Sequence, residues 1–140
     1  MRIVTNSAQE TEQLGERLAA GLKGGQVLAL FGPMGMGKTA FTRGLARGLG
    51  VSGEVSSPTF ALVHEHSGKI PLYHFDMFRV DSWDDLYSTG FFDYLESGGV
   101  LVIEWSENIE GALPEDAVRI TISQGEGENQ RVFQVEGLED

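Results

Sequence analysis

Gln26-Val27-Leu28-Ala29-Leu30-Phe31-Gly32-Pro33-Met34-Gly35-Met36-Gly37-Lys38-Thr39 is an apolar run that breaks into glycine and ends in a lysine and a threonine. The run does not alternate, which is the pattern of a strand covered on both faces and belongs to sheets with helices on either side. Residues 32–39 match G-x-x-x-x-G-K-[ST], and Lys38 to Leu49 follows as a helix, with Phe41, Leu45 and Leu49 spaced by four. Strand, glycine loop and helix in that order form the setting this motif requires. A chain of this composition meets the pattern by accident on the order of 0.6% of the time, before the setting is considered.

The spacing has a chemical reason. Glycines permit backbone angles closed to other residues, so successive amide N–H groups can turn inward around a phosphate. Lys38 then reaches the β- and γ-phosphates, the helix beginning beside it offers unpaired N–H groups to the same anion, and Thr39 places a hydroxyl on magnesium. The expected ATP contacts are therefore Gly32, Met34, Gly35, Met36, Gly37, Lys38, Thr39 and Ala40.

Phosphoryl transfer also needs a carboxylate for the metal and a group that places the nucleophile. Leu72-Tyr73-His74-Phe75-Asp76 is an apolar strand closing in a carboxylate, which makes Asp76 the candidate metal holder, directly or through water. Val100-Leu101-Val102-Ile103-Glu104 closes in another, and Glu104 is the candidate for orienting water or completing the metal shell. Ligands of open α/β sheets collect at the carboxyl ends of strands, where both would lie. Ser57-Pro58-Thr59-Phe60 lies where a nucleotide-sensing segment often sits, or is an X-Pro turn. Trp105 either meets the nucleotide or a partner or packs in the core. His64 and His66 share a strand face without an evident third metal ligand, and Arg43 and Arg47 read as a solvated helix face.

Outward from the loop, Ser7 and Glu10 form a capping box before Leu14, Leu18 and Leu22, which predicts a helix ending near Gly21. Phe60 to His66 and Ile70 to Phe75 read as strands joined at Ser67-Gly68-Lys69. Ser82 and Asp85 start another helix, and Phe91 to Leu95 forms a helical turn. Val118, Ile120 and Ile122 alternate with polar residues, and a turn at Gly125 to Gly127 leads to Arg131 to Val135, predicting an antiparallel hairpin at a sheet edge. The fold expected over residues 1–140 is a single α/β domain of the P-loop NTPase type, a mixed sheet with helices on both faces.

Composition narrows the functions. The chain has 140 residues, 21 acidic against 10 basic, and a formal charge of -11. Lysine and arginine supply most nucleic-acid affinity, and here they are scattered, so a direct grip on tRNA is disfavoured. Cysteine is absent, which excludes disulfides and zinc-thiolate sites. No apolar run approaches a membrane span, and Met1 to Asn6 shows no export signal, so the expectation is a cytoplasmic protein without membrane attachment.

Taken together, the loop, Ser57-Pro58-Thr59-Phe60, His74-Phe75-Asp76 with Arg79, and Glu104-Trp105-Ser106-Glu107 with Leu113-Pro114 resemble the TsaE (YjeE) family. That family is the small ATPase component of the bacterial machinery making threonylcarbamoyladenosine in tRNA. The resemblance covers nearly the whole chain. It implies a P-loop fold with a mixed sheet, slow magnesium-dependent ATP hydrolysis, and association with TsaB and TsaD, with tRNA met only through them. It also implies that Thr39, Asp76 and Glu104 are the magnesium and catalytic positions, Thr59 a switch-loop contact and Trp105 a functional aromatic near the nucleotide. The family's usual tyrosine before Arg79 is Phe78 here, Pro33, Met34 and Met36 occupy variable loop positions, and Ala40 stands where a second threonine is common. Two rival readings are a small-molecule P-loop kinase and a non-catalytic ATP-dependent switch. Against the kinase, residues 105–140 hold only Arg119 and Arg131, both in predicted strands rather than an arginine-bearing lid.

Overall fold

The computed structural model describes residues 1–33, 37–51 and 63–138. In chain order these form β1 (Arg2–Thr5), α1 (Ala8–Ala19), β2 (Val27–Phe31), α2 (Lys38–Gly48), β3 (Val63–His66) and β4 (Leu72–Asp76). Then come α3 (Trp83–Ser88), α4 (Phe91–Leu95), β5 (Val100–Glu104), a 3-10 segment (Ser106–Ala112), β6 (Val118–Gln124) and β7 (Arg131–Glu136).

One seven-stranded sheet takes the order β1-β7-β6-β2-β5-β4-β3. β6, β2, β5 and β4 run parallel, while β3, β7 and β1 pair antiparallel with their neighbours. The two unalternated runs, β2 and β5, are adjacent at its centre. Their residues divide by parity between two cores. Leu28, Leu30, Val100 and Val102 meet Leu14 and Leu18 of α1 and Phe41 and Leu45 of α2. Val27, Leu101 and Ile103 meet Leu86, Phe91 and Ile109 on the opposite face. Helices therefore cover both faces of a mixed α/β sheet, as the apolar patterning requires.

Local signals place the helix ends. Ser7 Oγ accepts the Glu10 N–H at 3.0 Å, while the Glu10 carboxylate reaches back to Asn6 N–H at 2.9 Å, one residue earlier than in a standard capping box. Ser82 Oγ accepts the Asp85 N–H at 3.1 Å in the same way. α1 and α2 approach closely because small residues line the seam. A Cβ on Gly44 would run into the Glu12 carbonyl, and one on Gly15 into backbone of Phe41 and Leu45. Arg43 and Arg47 are exposed, as a solvated helix face requires, and Arg47 also reaches across this seam to Glu12 at 3.4 Å and Glu16 at 3.3 Å.

Two expectations shift, and one strand was not foreseen. The β6–β7 hairpin forms, but it is not the sheet edge, because β1 adds outside β7 and β6 pairs in parallel with β2. β1 escapes sequence reading because its four residues carry no turn signal and find their partner only near the other end of the chain. The second strand begins at Leu72 rather than Ile70, since Pro71 lacks an N–H and the Ile70 N–H is drawn to the Leu49 carbonyl at 3.3 Å. Of the strand expected from Phe60, residues 60–62 lie outside the described residues.

Candidate functional site

β2, β4 and β5 are parallel, so their carboxyl ends open on the same edge of the sheet. β2 delivers Gly32 there at φ 130, an angle that favours glycine, and a Cβ at this position would collide with the Ile122 carbonyl. Gly37, at φ 90, turns the chain into α2 and leaves the N-terminus of that helix without a side-chain cap. The amides of its first turn are donors that an anion can satisfy. Met34, Gly35 and Met36, three of the expected nucleotide contacts, lie outside the described residues, as do Thr59 and the segment around it.

Lys38 begins α2 with its side chain folded inward. It is only 5% exposed, and its Nζ has no hydrogen-bond partner among the described residues. The ammonium lies 4.9 Å from the centroid of the Trp105 ring. Among the described residues only this ring face meets the ammonium, which leaves a buried cation under-compensated. Thr39 and Ala40 follow it in the first turn of the helix, and the Thr42 hydroxyl donates to the Lys38 carbonyl at 2.8 Å.

Asp76 and Glu104 are brought together. They are register partners across β4 and β5, the last residue of each strand. Asp76 Oδ1 accepts the Phe78 N–H at 2.9 Å, and the Glu104 carbonyl accepts the Met77 N–H at 3.0 Å. His74, two residues before Asp76 and fully buried, sits with Nε2 2.5 Å from Glu104 Oε2, while its Nδ1 has no partner among the described residues. The histidine thus orients the carboxylate from beneath. Sequence reasoning did not assign His74 a role at the site. The signal available was a polar ring at the middle of an otherwise apolar strand, two residues from a candidate carboxylate and therefore on the same face.

Trp105 is the only non-glycine residue at positive φ among the described residues, at φ 59 and ψ 41. Such a conformation in a bulky residue costs on the order of 1–3 kcal/mol and persists where the surroundings hold it. Here the ring lies between Lys38 and Phe78, whose own ring centroid is 4.9 Å away. Of the two alternatives for Trp105, packing against the second core is observed, and the same ring also neighbours Lys38. One further contact was not foreseen: the Glu107 carboxylate accepts the Gly32 N–H at 3.3 Å, tying the first glycine of the loop to the segment after β5. Sequence showed Glu107 only as part of a motif, because its partner lies 75 residues away.

His64 and His66 have ring centroids 6.1 Å apart, and no cluster of three metal-ligating side chains occurs among the described residues. Arg119 and Arg131 lie in β6 and β7, as expected. No helix among the described residues is long and apolar enough to cross a membrane.

Comparison with known proteins bears on the family and the fold. Residues 5–133 match the family model described as threonylcarbamoyl adenosine biosynthesis protein TsaE. The tRNA threonylcarbamoyladenosine biosynthesis protein TsaE of Treponema pallidum is 41% identical over 122 residues, covering 87% of this chain and 90% of that one. The protein of the same name from Bacillus subtilis is 38% identical over 135 residues, covering 95% and 84%. A crystal structure of Bacillus subtilis YdiB superposes with a TM-score of 0.82 at 34% identity, covering 96% of this chain and 83% of that one. With a family model spanning nearly all of the chain and relatives this similar along almost their whole length, the chain belongs to the TsaE family.

Proposed function

We propose that this chain binds MgATP at the loop of residues 32–39 and hydrolyses it slowly, in support of threonylcarbamoyl transfer to tRNA carried out with the partner proteins TsaD and TsaB. The observation that carries the reading is the buried Lys38 ammonium, without a hydrogen-bond partner among the described residues, at an uncapped helix N-terminus and against Trp105, the residue that follows Glu104. A cation, open amide donors and metal-holding carboxylates at one strand edge fit a nucleotide polyphosphate with its ion.

Lys38 and the first amides of α2 neutralise phosphate charge, with Gly32, Gly37 and Ala40 shaping the cradle. Thr39, Asp76 and Glu104 would hold magnesium. When bound, the ion neutralises charge that builds on the phosphoryl oxygens. Glu104, fixed by His74, orients the attacking water and accepts its hydrogen bond. Met34, Gly35, Met36 and Thr59 complete the contacts expected from sequence. tRNA is met through the partners, in keeping with the charge of -11, and the site of action is the cytoplasm.

Calorimetry of Lys38→Ala tests the site: ATP affinity is lost while far-ultraviolet dichroism stays native, and an unchanged affinity overturns the reading. Turnover by Glu104→Gln separates an ATPase from a passive switch. Hydrolysis falls by about 100-fold or more with binding retained, whereas full support of repeated tRNA modification by that variant favours the switch. Stimulation of phosphate release by added TsaB and TsaD tests the partners, and a phosphorylated metabolite formed stoichiometrically with ADP favours a kinase.

A further inference from the structure

The face opposite α1 and α2 carries a second concave feature. α3 and the 3-10 segment enclose a cavity of about 310 Å³ whose apolar wall is Val80, Trp83, Leu86, Ile109 and Ala112. Trp83 and Tyr87, one helical turn apart on α3, stand 58% and 64% exposed, an unusual placement for two large aromatic side chains. The rim is acidic. Asp81 and Ser82 line it, and Asp84 and Asp85 follow in the first turn of α3. No lysine, arginine or histidine occurs anywhere between Arg79 and Arg119, the segment that builds the whole groove.

Asp81 and Asp85 crowd each other. The hydrogen bond and the charge of Asp85 push the Asp81 carboxyl above its ordinary range, the state of two like charges that a nearby cation would relieve.

We propose that the groove between α3 and the 3-10 segment is a docking site for a basic segment of a partner protein, whose apolar side chain enters the cavity while its lysines or arginines meet Asp81 and Asp84. An apolar anchor in a pocket of this size, ringed by complementary charge, is the usual centre of a protein interface. A second copy of this chain is a poor occupant, since its net charge of -11 opposes an acidic rim. The groove also adjoins the nucleotide site. Asn108 Nδ2, on its wall, donates to the Met77 carbonyl at 2.8 Å and to the Phe78 carbonyl at 3.2 Å, and Phe78 packs on Trp105. A partner seated there would press on the segment that directly follows Asp76.

The inference rests on the proposed function only in taking TsaB and TsaD as the partners, and the experiment separates the two. Binding of a purified TsaB–TsaD mixture is measured by calorimetry for the full chain and for Trp83→Ala and the double variant Asp81→Lys, Asp84→Lys. MgATP affinity is measured on each as the control for folding. Each variant weakens partner binding by at least tenfold with MgATP affinity unchanged. Equal partner binding by both variants overturns the docking site and leaves the partner reading standing; no binding by the unaltered chain overturns both. Self-association of the chain alone that Trp83→Ala abolishes overturns it in favour of a second copy.

Discussion

His74 Nε2 and Glu104 Oε2 lie 2.5 Å apart across neighbouring parallel strands, the ring fully buried and the carboxylate nearly so. A carboxylate at the site edge is thereby fixed from below rather than left to a flexible side chain. His74→Ala leaves the buried oxygen without its partner and is expected to lower stability by about 1–3 kcal/mol. His74→Gln, which keeps a donor near the Nε2 position, recovers part of that loss. Urea unfolding of the two variants checks the prediction, and a wild-type midpoint for the alanine variant contradicts it.

The Lys38 ammonium 4.9 Å from the Trp105 ring makes that indole a reporter. Under the proposed function, phosphate would draw the ammonium off the ring, and the emission of Trp105 would change on nucleotide binding. In a Trp83→Phe background, where Trp105 is the remaining tryptophan, MgATP shifts the emission saturably, and adding Lys38→Ala removes the response. Emission that ignores saturating MgATP contradicts the contact.

Gly44 tests the seam between α1 and α2. In an isolated helix, alanine is better than glycine by about 1 kcal/mol. Here a Cβ would run into the Glu12 carbonyl, which belongs to the backbone of the facing helix and cannot swing aside. Steric conflict wins, and Gly44→Ala is expected to destabilise by about 1–3 kcal/mol. Thermal or urea unfolding measures it, and a gain in stability would mean the helices stand further apart.

Burial chiefly, with the nearby charges of His74 and His64, lowers the pKa of His66 from 6.5. The unfolded chain therefore takes up a proton first as pH falls. Above 6.5 both states are neutral at this ring and it makes no difference; below 6.5 stability declines until the lowered folded value is passed. His66→Gln removes this part of the acid sensitivity, so its stability changes less between neutral pH and the acid side of 6.5. Parallel slopes for variant and parent would rule the contribution out.

Much of the fold was legible because it depends on short-range pattern. β2 and β5 announce themselves as unbroken apolar runs, and Ser7 and Ser82 cap their helices as their spacing to Glu10 and Asp85 predicts. β1 was not legible, since four residues with no turn signal gain strand character only from pairing with β7. The site divides in the same way. Lys38, Asp76 and Glu104 stand out locally, as a motif and as carboxylates closing apolar strands. His74 and Glu107 do not, because each acquires its meaning from a partner supplied by another strand or loop.

By itself, then, the order of residues determined an α/β sheet covered by helices, with a glycine-rich stretch between its first buried strand and the helix that follows, consequences of side-chain periodicity and of the glycine spacing. Tertiary structure alone decided that β4 lies beside β5, and with it that Asp76 meets Glu104 and that His74 supports the latter's carboxylate. It also decided that Trp105 is held at positive φ over Lys38 and that Glu107 reaches Gly32. The physical reason is distance along the chain: these contacts join residues dozens of positions apart, and strand order, set by packing two cores onto one sheet, is what brings them within reach.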